Sequence, residues 1–345
     1  MKILVGLSWG VDSAIAAYLL KQEGYEVVAG FMKNYVSETW NCTTYDDSKE
    51  AIKVAEFLGI EIQAFDFQKE YQERIIDYIF QGYKKWVTPN PDVLCNSLIK
   101  FDVFLEKALE KGFDKIATGH YAQLEEKNWV YHLIRWKDHN KDQTYFLAWL
   151  NQFQLEHSVF PIWHLIKPEV RELAKNIGLP NAERRDSQWL CFIGNVPIKN
   201  FLMNKFPIKK WEIRTLEGKV VWEHDWAYFF TIGQKHWLWL NFKAYVYRID
   251  IENNVVYVCD KDAEELFSQD IIVKDWSRIA EEYEENFNLT WKIRYRQNPP
   301  VECCITKKEG NQIDVHFKEP QWAVAPWQVF VLYDWEICLW SGIIA

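Results

Sequence analysis

Glycine is scarce in this chain, and three common sequence signals are missing from it. The 345 residues include 14 glycines against 19 tryptophans, whereas average usage would give about 24 glycines. No apolar run approaches the length that crosses a bilayer, which excludes a helical membrane protein. No two cysteines have the Cys-x-x-Cys spacing that supports a structural zinc site. The formal net charge of −9 gives no sign of nucleic-acid binding, so any such site must concentrate Lys and Arg locally.

The length and composition are those of a folded protein with several domains. With 49% hydrophobic and 26% charged residues in 345, two or three domains are expected and wholesale disorder is not. The seven cysteines are Cys42, Cys95, Cys191, Cys259, Cys303, Cys304 and Cys338. Their odd number argues against a disulfide framework. Met1–Leu7 lacks the features of a signal peptide, so we expect a cytoplasmic protein.

The N-terminal part alternates strands with helices. The hydrophobic pattern predicts strands at Ile3–Leu7, Glu26–Phe31, Ile60–Phe65 and Lys115–Thr118, and helices at Ser13–Glu23, Asp46–Leu58, Glu70–Tyr83, Ser97–Lys111 and Pro168–Ile177, four of them ended by Gly24, Gly59, Gly112 and Gly178. Strands separated by helices of this length predict an α/β domain with a parallel sheet covered on both faces. Ligands of such sheets bind beyond the carboxyl ends of the strands, which is where residues 7–13 and 118–121 are expected.

After about residue 205 the helical period largely disappears and short strands follow. The pattern predicts strands at Tyr245–Ile251, Val255–Asp260, Lys292–Gln297, Val301–Thr306, Ile313–Phe317, Gln328–Tyr333 and Glu336–Leu339. Strands of this length and spacing indicate a small barrel or sandwich. We expect domain boundaries near residues 205 and 270, giving an α/β domain over 1–205, a small central linking domain over 206–270 and a C-terminal β-barrel over 271–345.

A turn rich in small polar residues follows the first strand and opens the first helix. It reads Gly6-Leu7-Ser8-Trp9-Gly10-Val11-Asp12-Ser13. Backbone N–H groups and two hydroxyls at such a turn can form a nest for phosphate oxygens, although an ordinary turn with Asp12 or Ser13 as the N-cap explains the same residues. The string resembles the SGGVDS pyrophosphate loop of the PP-loop ATP pyrophosphatases, which activate a carbonyl oxygen by adenylation. It has no Walker lysine, unlike the loop of P-loop kinases and GTPases.

Further strings point to one family within that superfamily. They are Thr88–Asn96 with Ile99–Phe101, Ala117–Tyr121, Lys141–Leu147, Asp186–Gly194, Thr231–Gln234, Lys292–Tyr295 and Ala325–Gln328. In this order, and over essentially the whole chain, they resemble the tRNA-specific 2-thiouridylases. The resemblance implies a sulfurtransferase that adenylates the C2 oxygen of the anticodon wobble uridine with ATP. Sulfur from a cysteine persulfide then replaces that oxygen, giving 2-thiouridine, AMP and pyrophosphate.

The resemblance assigns chemical roles to two cysteines and one aspartate. Cys191 would carry the persulfide, Cys95 would attack it to free the sulfur or take part in resolving it, and Asp92 would be the general acid/base. If the two thiols approach, they should also form a disulfide during turnover. Without the resemblance each would be interpreted as a buried inert thiol, and we keep that interpretation for the other five cysteines.

The resemblance also implies binding residues and partners. ATP, with Mg²⁺, would contact Gly6, Leu7, Ser8, Trp9, Gly10, Val11, Asp12, Ser13, Met32 and Gly119. The tRNA would contact Asn90, Pro91, Asp92, His120, Lys141, Asp142, Gln143, Arg294, Tyr295 and Gln328. The first three of these would meet the target base, which must leave its stack to be reached. The other implied partner is a persulfide donor, either a cysteine desulfurase or a sulfur-relay protein; neither a membrane nor a protein-bound metal is implied.

Tryptophan stands at many positions where this family has glycine. They are Trp9 of the loop, Trp86, Trp129, Trp163, Trp189, Trp226, Trp237, Trp239, Trp327, Trp335 and Trp340. Glycine at such places supplies a positive φ or a close backbone approach, and Asn128-Trp129 occupies a site where a hairpin favours Asn-Gly. Our hypothesis is that a UGA codon, translated here as tryptophan, is decoded as glycine in the organism. The alternative is a genuinely tryptophan-rich protein.

Two other functions remain open on the sequence. One is a different adenylating PP-loop enzyme, such as an amide-forming synthetase, which would have no use for Cys95 and Cys191. The other is a tRNA-binding protein that does not catalyse because Trp9 disrupts the ATP loop. Turnover of ATP and pyrophosphate in the presence of tRNA would separate the second case from an active enzyme.

Overall fold

The computed structural model describes the chain except residues 36–43, 86, 88, 139–140, 185–201, 203–209, 225–229, 236–237, 239, 251, 280–288, 296 and 298–299. Several predicted positions lie outside the described residues: Cys42, Trp86, Trp189, Cys191, Trp226, Trp237 and Trp239. Within the described part, no helix is long and apolar enough to span a membrane.

The strands of the described residues are numbered β1 to β17 in chain order. They are β1 Lys2–Gly6, β2 Glu26–Lys33, β3 Glu61–Asp66, β4 Lys115–Ala117, β5 Gln123–Lys127, β6 Val130–Ile134, β7 Ser158–Val159, β8 Trp211–Arg214, β9 Val220–His224, β10 Tyr245–Asp250, β11 Val255–Cys259, β12 Phe267–Arg278, β13 Leu289–Lys292, β14 Val301–Glu309, β15 Gln312–Trp322, β16 Val329–Asp334 and β17 Ile337–Ile344.

The α-helices of the described residues are mostly short and lie in the N-terminal part. They are α1 Val11–Gln22, α2 Thr44–Leu58, α3 Gln68–Tyr71, α4 Asp77–Lys84, α5 Pro91–Cys95, α6 Phe104–Glu110, α7 Thr144–Leu147, α8 Gln152–Glu156 and α9 Lys167–Asn176. A π-helical stretch at Gln72–Ile76 joins α3 to α4, and another at Asn96–Val103 joins α5 to α6. The four predicted stop glycines, Gly24, Gly59, Gly112 and Gly178, all have a positive φ. The predicted helix ends are therefore confirmed.

Five parallel strands form the N-terminal sheet, in the order β3-β2-β1-β4-β7. Ile3, Leu4 and Val5 of β1 are all fully buried, because helices cover both faces of a parallel sheet. The predicted α/β sheet is confirmed. The strand order reverses between β1 and β4, so the loops after these two strands meet at a topological switch point, where such sheets bind ligands.

Two further sheets follow. β8 to β11 form a sheet in the order β10-β11-β8-β9, and six antiparallel strands close into a barrel because β12 pairs with both β15 and β17. Trp291 fills the barrel interior, stacked on Phe317 and Phe330 with ring centroids 4.0 and 5.3 Å away. The predicted C-terminal β-barrel is confirmed, whereas the boundaries near residues 205 and 270 stay predictions.

One predicted barrel strand ends earlier than expected. The sequence predicts a strand at Lys292–Gln297, but β13 stops at Lys292 and the chain turns. The backbone N–H of Gln297 donates to the Arg294 carbonyl at 3.1 Å, and the Ile293 N–H donates to Oε1 of Gln297 at 2.9 Å. These local hydrogen bonds replace the strand ladder, so Arg294 and Tyr295 lie in a turn at the barrel edge.

A hairpin connects the α/β domain to the barrel. β5 and β6 form an antiparallel pair, and β6 continues onto β17 through the pairs Ile134–Ile337 and Leu133–Cys338. The hairpin turns at Asn128 and Trp129, whose φ angles are 53° and 64°. Two positive φ values are those of a type I′ turn. The hairpin predicted from the Asn-Trp pair is therefore present.

Candidate active site

The loop between β1 and α1 is closed by its own serines. The Ser8 N–H donates to Ser13 Oγ and the Gly10 N–H donates to Ser8 Oγ, each at 3.1 Å. The side chains of Leu7 and Val11 are buried in the core, so these residues can offer a ligand only their backbone groups. The loop gathers amides and hydroxyls at the N-terminus of α1, where the helix dipole favours an anion.

Gly119, in the loop after β4, packs directly on the start of α1. A Cβ at this position would lie 2.6 Å from both the Asp12 carbonyl carbon and the Ser13 nitrogen, so no larger residue fits. On the other side of β1, a Cβ on Gly6 would lie 3.2 Å from Cε of Met32. The structure thus brings the predicted nucleotide residues of three strands together at the switch point.

The Asp12 carboxylate is held by two side chains from distant parts of the chain. Nζ of Lys167 lies 2.7 Å from both carboxylate oxygens, and the Tyr121 hydroxyl donates to Oδ1 at 2.7 Å. Sequence reasoning missed Lys167, the first residue of α9, because no local pattern signals a contact across this separation. Lys167 places a cation beside a loop that has no Walker lysine.

Trp9 does not have the backbone conformation that requires glycine. Its φ is not positive, its indole lies against Arg184 with Cζ 4.4 Å from the ring centroid, and its carbonyl accepts from Nδ2 of Asn181 at 2.9 Å. By contrast, Trp129, Trp327 and Trp335 have φ angles of 64°, 67° and 52°. These three tryptophans occupy a region of φ that glycine favours.

The predicted nucleophile ends a short helix that begins at the predicted base-binding segment. Pro91 occupies the first turn of α5, which tolerates proline, and Cys95 is the last residue of α5, only 2% exposed. Asp92 is half-buried on the same helix. Asn90, which precedes α5, is hydrogen-bonded through its backbone to Tyr78. Burial raises the pKa of Tyr78 to about 12, and this hydrogen bond opposes the rise. Because Cys191 lies outside the described residues, its pairing with Cys95 stays a prediction.

Residues 142–147, which we call the bridge segment, lie between the Cys95 helix and the barrel. Nδ2 of Asn96 donates to the Phe146 carbonyl at 3.1 Å, and the Tyr145 hydroxyl donates to the Val329 carbonyl of the barrel at 2.8 Å. Burial raises the pKa of Tyr145, while a hydrogen bond from the Asn90 side chain and the charge of Arg294 oppose that rise. Asn90, Arg294 and Gln328, which precedes Val329, therefore all lie around Tyr145.

The turn after β13 presents an arginine and a tyrosine beside the bridge segment. The Arg294 guanidinium donates to the carbonyl of Ala323 and lies over the Trp322 ring, with Cζ 5.3 Å from its centroid. The Tyr295 ring packs on Phe146 at 4.5 Å between centroids. Both residues are half-buried, so each keeps part of its surface open to solvent.

Two of the predicted tRNA residues are buried inside the protein, and a third, Gln143, is half-buried. His120 is 8% exposed, packs between Phe101 and Phe160, and has its pKa lowered well below 6.5 by burial and by the charge of Lys100. Asp142 is 1% exposed, and Oε1 of Gln143 accepts from the Tyr121 N–H at 2.9 Å. Direct contact with tRNA does not fit the burial of His120 and Asp142. Lys141, which directly precedes Asp142, is exposed.

Family models match the chain in three consecutive parts. Residues 1–195 match a model described as "tRNA methyl transferase HUP domain", residues 199–260 a "tRNA methyl transferase PRC-barrel domain", and residues 268–344 an "Aminomethyltransferase beta-barrel domain". These three matches follow the order of the parallel sheet, the four-stranded sheet and the barrel.

Curated relatives match over the whole length. The chain is 42% identical to "tRNA-specific 2-thiouridylase MnmA" of Nitrosomonas eutropha, covering 99% of this chain and 98% of that protein. It is 41% identical to the protein of the same name from Ralstonia nicotianae, with 100% and 96% covered. It is 43% identical to "tRNA-specific 2-thiouridylase MnmA 1" of Geobacillus kaustophilus, with 99% and 95% covered.

Proposed function

Since the chain belongs to the tRNA-specific 2-thiouridylase family, we propose that it uses ATP to replace the C2 oxygen of the anticodon wobble uridine with sulfur. The observation that carries this proposal is the 42% identity to a 2-thiouridylase over 99% of the chain. The descriptions of two matching family models name a tRNA methyl transferase rather than a thiouridylase. The anion-binding loop and the cysteine at the end of α5 support activation and sulfur transfer.

ATP would bind at the switch point, where the residues fit its phosphates. The Ser8 and Ser13 hydroxyls and the loop amides suit phosphate oxygens, and the absent side chain of Gly119 leaves the start of α1 tightly packed against the β4 loop. Mg²⁺ would arrive with ATP, and Asp12 supplies a carboxylate within this loop. ATP supplies the chemistry that turns a uridine oxygen into a leaving group.

Sulfur transfer would use two cysteines in turn. The Cys95 thiolate attacks Sγ of a persulfide on Cys191, the bond to the terminal sulfur breaks, and hydrosulfide leaves while a Cys95–Cys191 disulfide forms. The hydrosulfide adds to C2 of the adenylated uridine, and AMP departs with the former C2 oxygen. Asp92, three positions before Cys95, would transfer protons in this exchange. A thiol reductant must then reduce the disulfide, and a desulfurase or relay protein must restore the persulfide.

The tRNA would lie along the junction between the Cys95 helix and the barrel. The bridge segment connects Asn90 to the barrel edge that carries Arg294, Tyr295 and Gln328. An arginine beside an aromatic ring suits RNA, since one binds phosphate and the other stacks on a base. In this proposal residues 1–205 catalyse, residues 206–270 link and residues 271–345 hold the tRNA, all in the cytoplasm.

The proposal is tested by nucleoside analysis of tRNA after reaction. Purified protein, ATP, Mg²⁺, unmodified tRNA and a persulfide donor should yield 2-thiouridine detectable by mass spectrometry. Cys95→Ser and Cys191→Ser should each abolish its formation while tRNA binding persists. Cys304→Ser is the matched control, because Cys304 is an exposed barrel cysteine and its loss should change nothing. Normal thiolation by either of the first two variants would contradict the assigned cysteine roles.

A further inference from the structure

Asp142 is fully buried and surrounded by donors. Its Oδ1 accepts from the Thr144 hydroxyl at 2.9 Å and from the Thr144 N–H at 3.2 Å. Its Oδ2 lies 3.1 Å from Nζ of Lys292 and 3.4 Å from Nε of Arg135. Because a buried charge is tolerated only when it is paired and hydrogen-bonded, this carboxylate is committed to its neighbours.

The partner cation comes from the other domain. Lys292 is the last residue of β13, its side chain is fully buried like that of Asp142, and the turn bearing Arg294 and Tyr295 begins directly after it. The pair therefore joins the bridge segment of the α/β domain to the start of the Arg294–Tyr295 turn of the barrel. Thr144 extends the link, since its hydroxyl lies 3.2 Å from the Tyr333 hydroxyl of β16.

The same two segments meet at two more points. The Tyr145 hydroxyl lies 3.5 Å from the Ile293 carbonyl, and the Phe146 ring packs on Tyr295. Asp142, Tyr145 and Phe146 thus contact Lys292, Ile293 and Tyr295 respectively, in the same order along the chain. Of these three contacts only the Asp142–Lys292 pair is ionic, so it restrains the position of the turn most strictly.

The charges around the pair do not cancel locally. Arg135 and Lys292 both face Asp142, and Arg135 also lies 3.8 Å from the half-exposed Glu336. The buried Cys338 thiol and Tyr333 hydroxyl belong to the same cluster, and burial raises the pKa of each well above its ordinary value, so both stay neutral. Asp142 is therefore the only fully buried anion among the described residues of this cluster, and its loss would leave Lys292 without its anionic partner and Arg135 with Glu336 alone.

We propose that Asp142 and Lys292 are positioning residues that hold the Arg294–Tyr295 turn and Lys141 in the arrangement that binds tRNA, without contacting tRNA themselves. This inference rests on the proposed function. It explains why a buried carboxylate lies beside the exposed Lys141 in one short motif. It also divides that motif by role: Lys141 is exposed to solvent, whereas Asp142 holds the Arg294–Tyr295 turn through Lys292.

A double-mutant cycle on tRNA binding tests the proposal. The variants are Asp142→Asn, Lys292→Met and the double variant, with Lys318→Met as the control for losing one barrel lysine, because Lys318 is exposed and pairs with Glu302. Each single variant should weaken tRNA binding about tenfold, as for a lost charge-assisted contact. The double variant should bind tRNA no more weakly than either single variant, because both changes break the same ion pair.

Two further readouts separate positioning from general damage. The slope of tRNA affinity against salt concentration should fall by about one contact in each single variant, and the control should keep at least twice the affinity of Lys292→Met. ATP affinity by calorimetry should remain within about twofold of wild type, because the Asp142 carboxylate contacts Thr144, Arg135 and Lys292 rather than the loop between β1 and α1. A substitution that merely destabilised the fold would weaken the binding of tRNA and of ATP together.

Three results would overturn the proposed positioning role of Asp142 and Lys292. Additive weakening in the double variant would show that Asp142 contacts tRNA independently, and unchanged tRNA binding in folded single variants would leave the pair a purely structural role; either result overturns the proposal. If Asp142→Asn fails to fold, Thr144→Val decides, since it removes one hydrogen bond but no charge and should weaken tRNA binding about threefold; unchanged binding overturns the proposal. Failure of the wild-type protein to bind tRNA would instead refute the proposed function.

Discussion

Replacing Trp129 with glycine should stabilise the hairpin of β5 and β6. Trp129 sits in the tight turn of this hairpin with a φ of 64°, and Asn128 before it has a φ of 53°. The side chain of Trp129 is 91% exposed, so removing the indole sacrifices almost no buried surface. The change therefore acts on the backbone conformation alone, which makes its free energy simple to derive.

Two opposing terms set the magnitude. A residue with a Cβ loses about 1–2 kcal/mol in the left-handed region, and glycine removes that cost. Glycine also gives the unfolded chain more freedom, which costs about 0.4–1 kcal/mol. The net gain is about 0.5–1 kcal/mol, equivalent to a change of about two- to fivefold in the equilibrium for opening the hairpin.

Native-state hydrogen exchange measures this directly in the ladder of β5 and β6. Amides of the hairpin should exchange about two- to fivefold more slowly in Trp129→Gly than in wild type, with amides of the N-terminal sheet unchanged. Trp129→Ala is the matched control, because it removes the same indole but keeps the Cβ that opposes positive φ. Equal exchange in the glycine and alanine variants would refute the argument that backbone conformation makes position 129 a glycine site.

Three further predictions concern His120, Arg294 and Trp9. Burial lowers the pKa of His120 well below 6.5, so below pH 6.5 only the unfolded chain binds this proton. The free energy of unfolding should then fall by up to about 1.4 kcal/mol per pH unit; urea titrations at pH 7 and 5.5 should show a smaller fall in His120→Asn, and parallel losses would contradict this. Arg294→Ala should weaken tRNA binding and reduce its salt slope by about one contact, whereas an unchanged affinity across a salt series would remove Arg294 from the interface. Trp9→Gly should bind ATP more tightly than wild type by calorimetry on folded protein; equal affinities would remove the functional support for the codon hypothesis.

The parallel sheet and the barrel were predictable because they depend on local patterns. Buried strands such as β1 are continuous apolar runs, and stop glycines such as Gly24 and Gly59 need a positive φ that few other residues adopt. The extension of the barrel by β6 was not predictable, since a hairpin pattern does not say which strand edge it will join. The end of β13 was missed for a similar reason: the apolar alternation continues past Lys292, but Gln297 turns the chain.

The site was predicted by position better than by environment. Motif matching placed Gly119 and Ser13 in one site, and the structure packs them against each other. The same matching gave no information on burial, so it could not distinguish the enclosed Asp142 from the exposed Lys141. It also missed Lys167, whose contact with Asp12 depends on how α9 folds back onto the loop.

The tryptophans divide into two groups by backbone conformation. Trp129, Trp327 and Trp335 have positive φ, so glycine would be favoured there on conformational grounds alone. Trp9 does not have a positive φ, so the effect of its side chain depends on what the loop must bind. The codon hypothesis therefore has a conformational basis at three positions and stays a prediction at the ATP loop.

The most direct test of the proposed reaction is an isotope measurement. A tRNA carrying ¹⁸O at C2 of the target uridine is incubated with the protein, ATP, Mg²⁺ and a persulfide donor, and AMP is analysed by mass spectrometry. If ATP activates the C2 oxygen by adenylation, the ¹⁸O must appear in AMP in step with the formation of 2-thiouridine. Thiolated tRNA accompanied by unlabelled AMP, with ¹⁸O released into water, would contradict adenylation of the uridine.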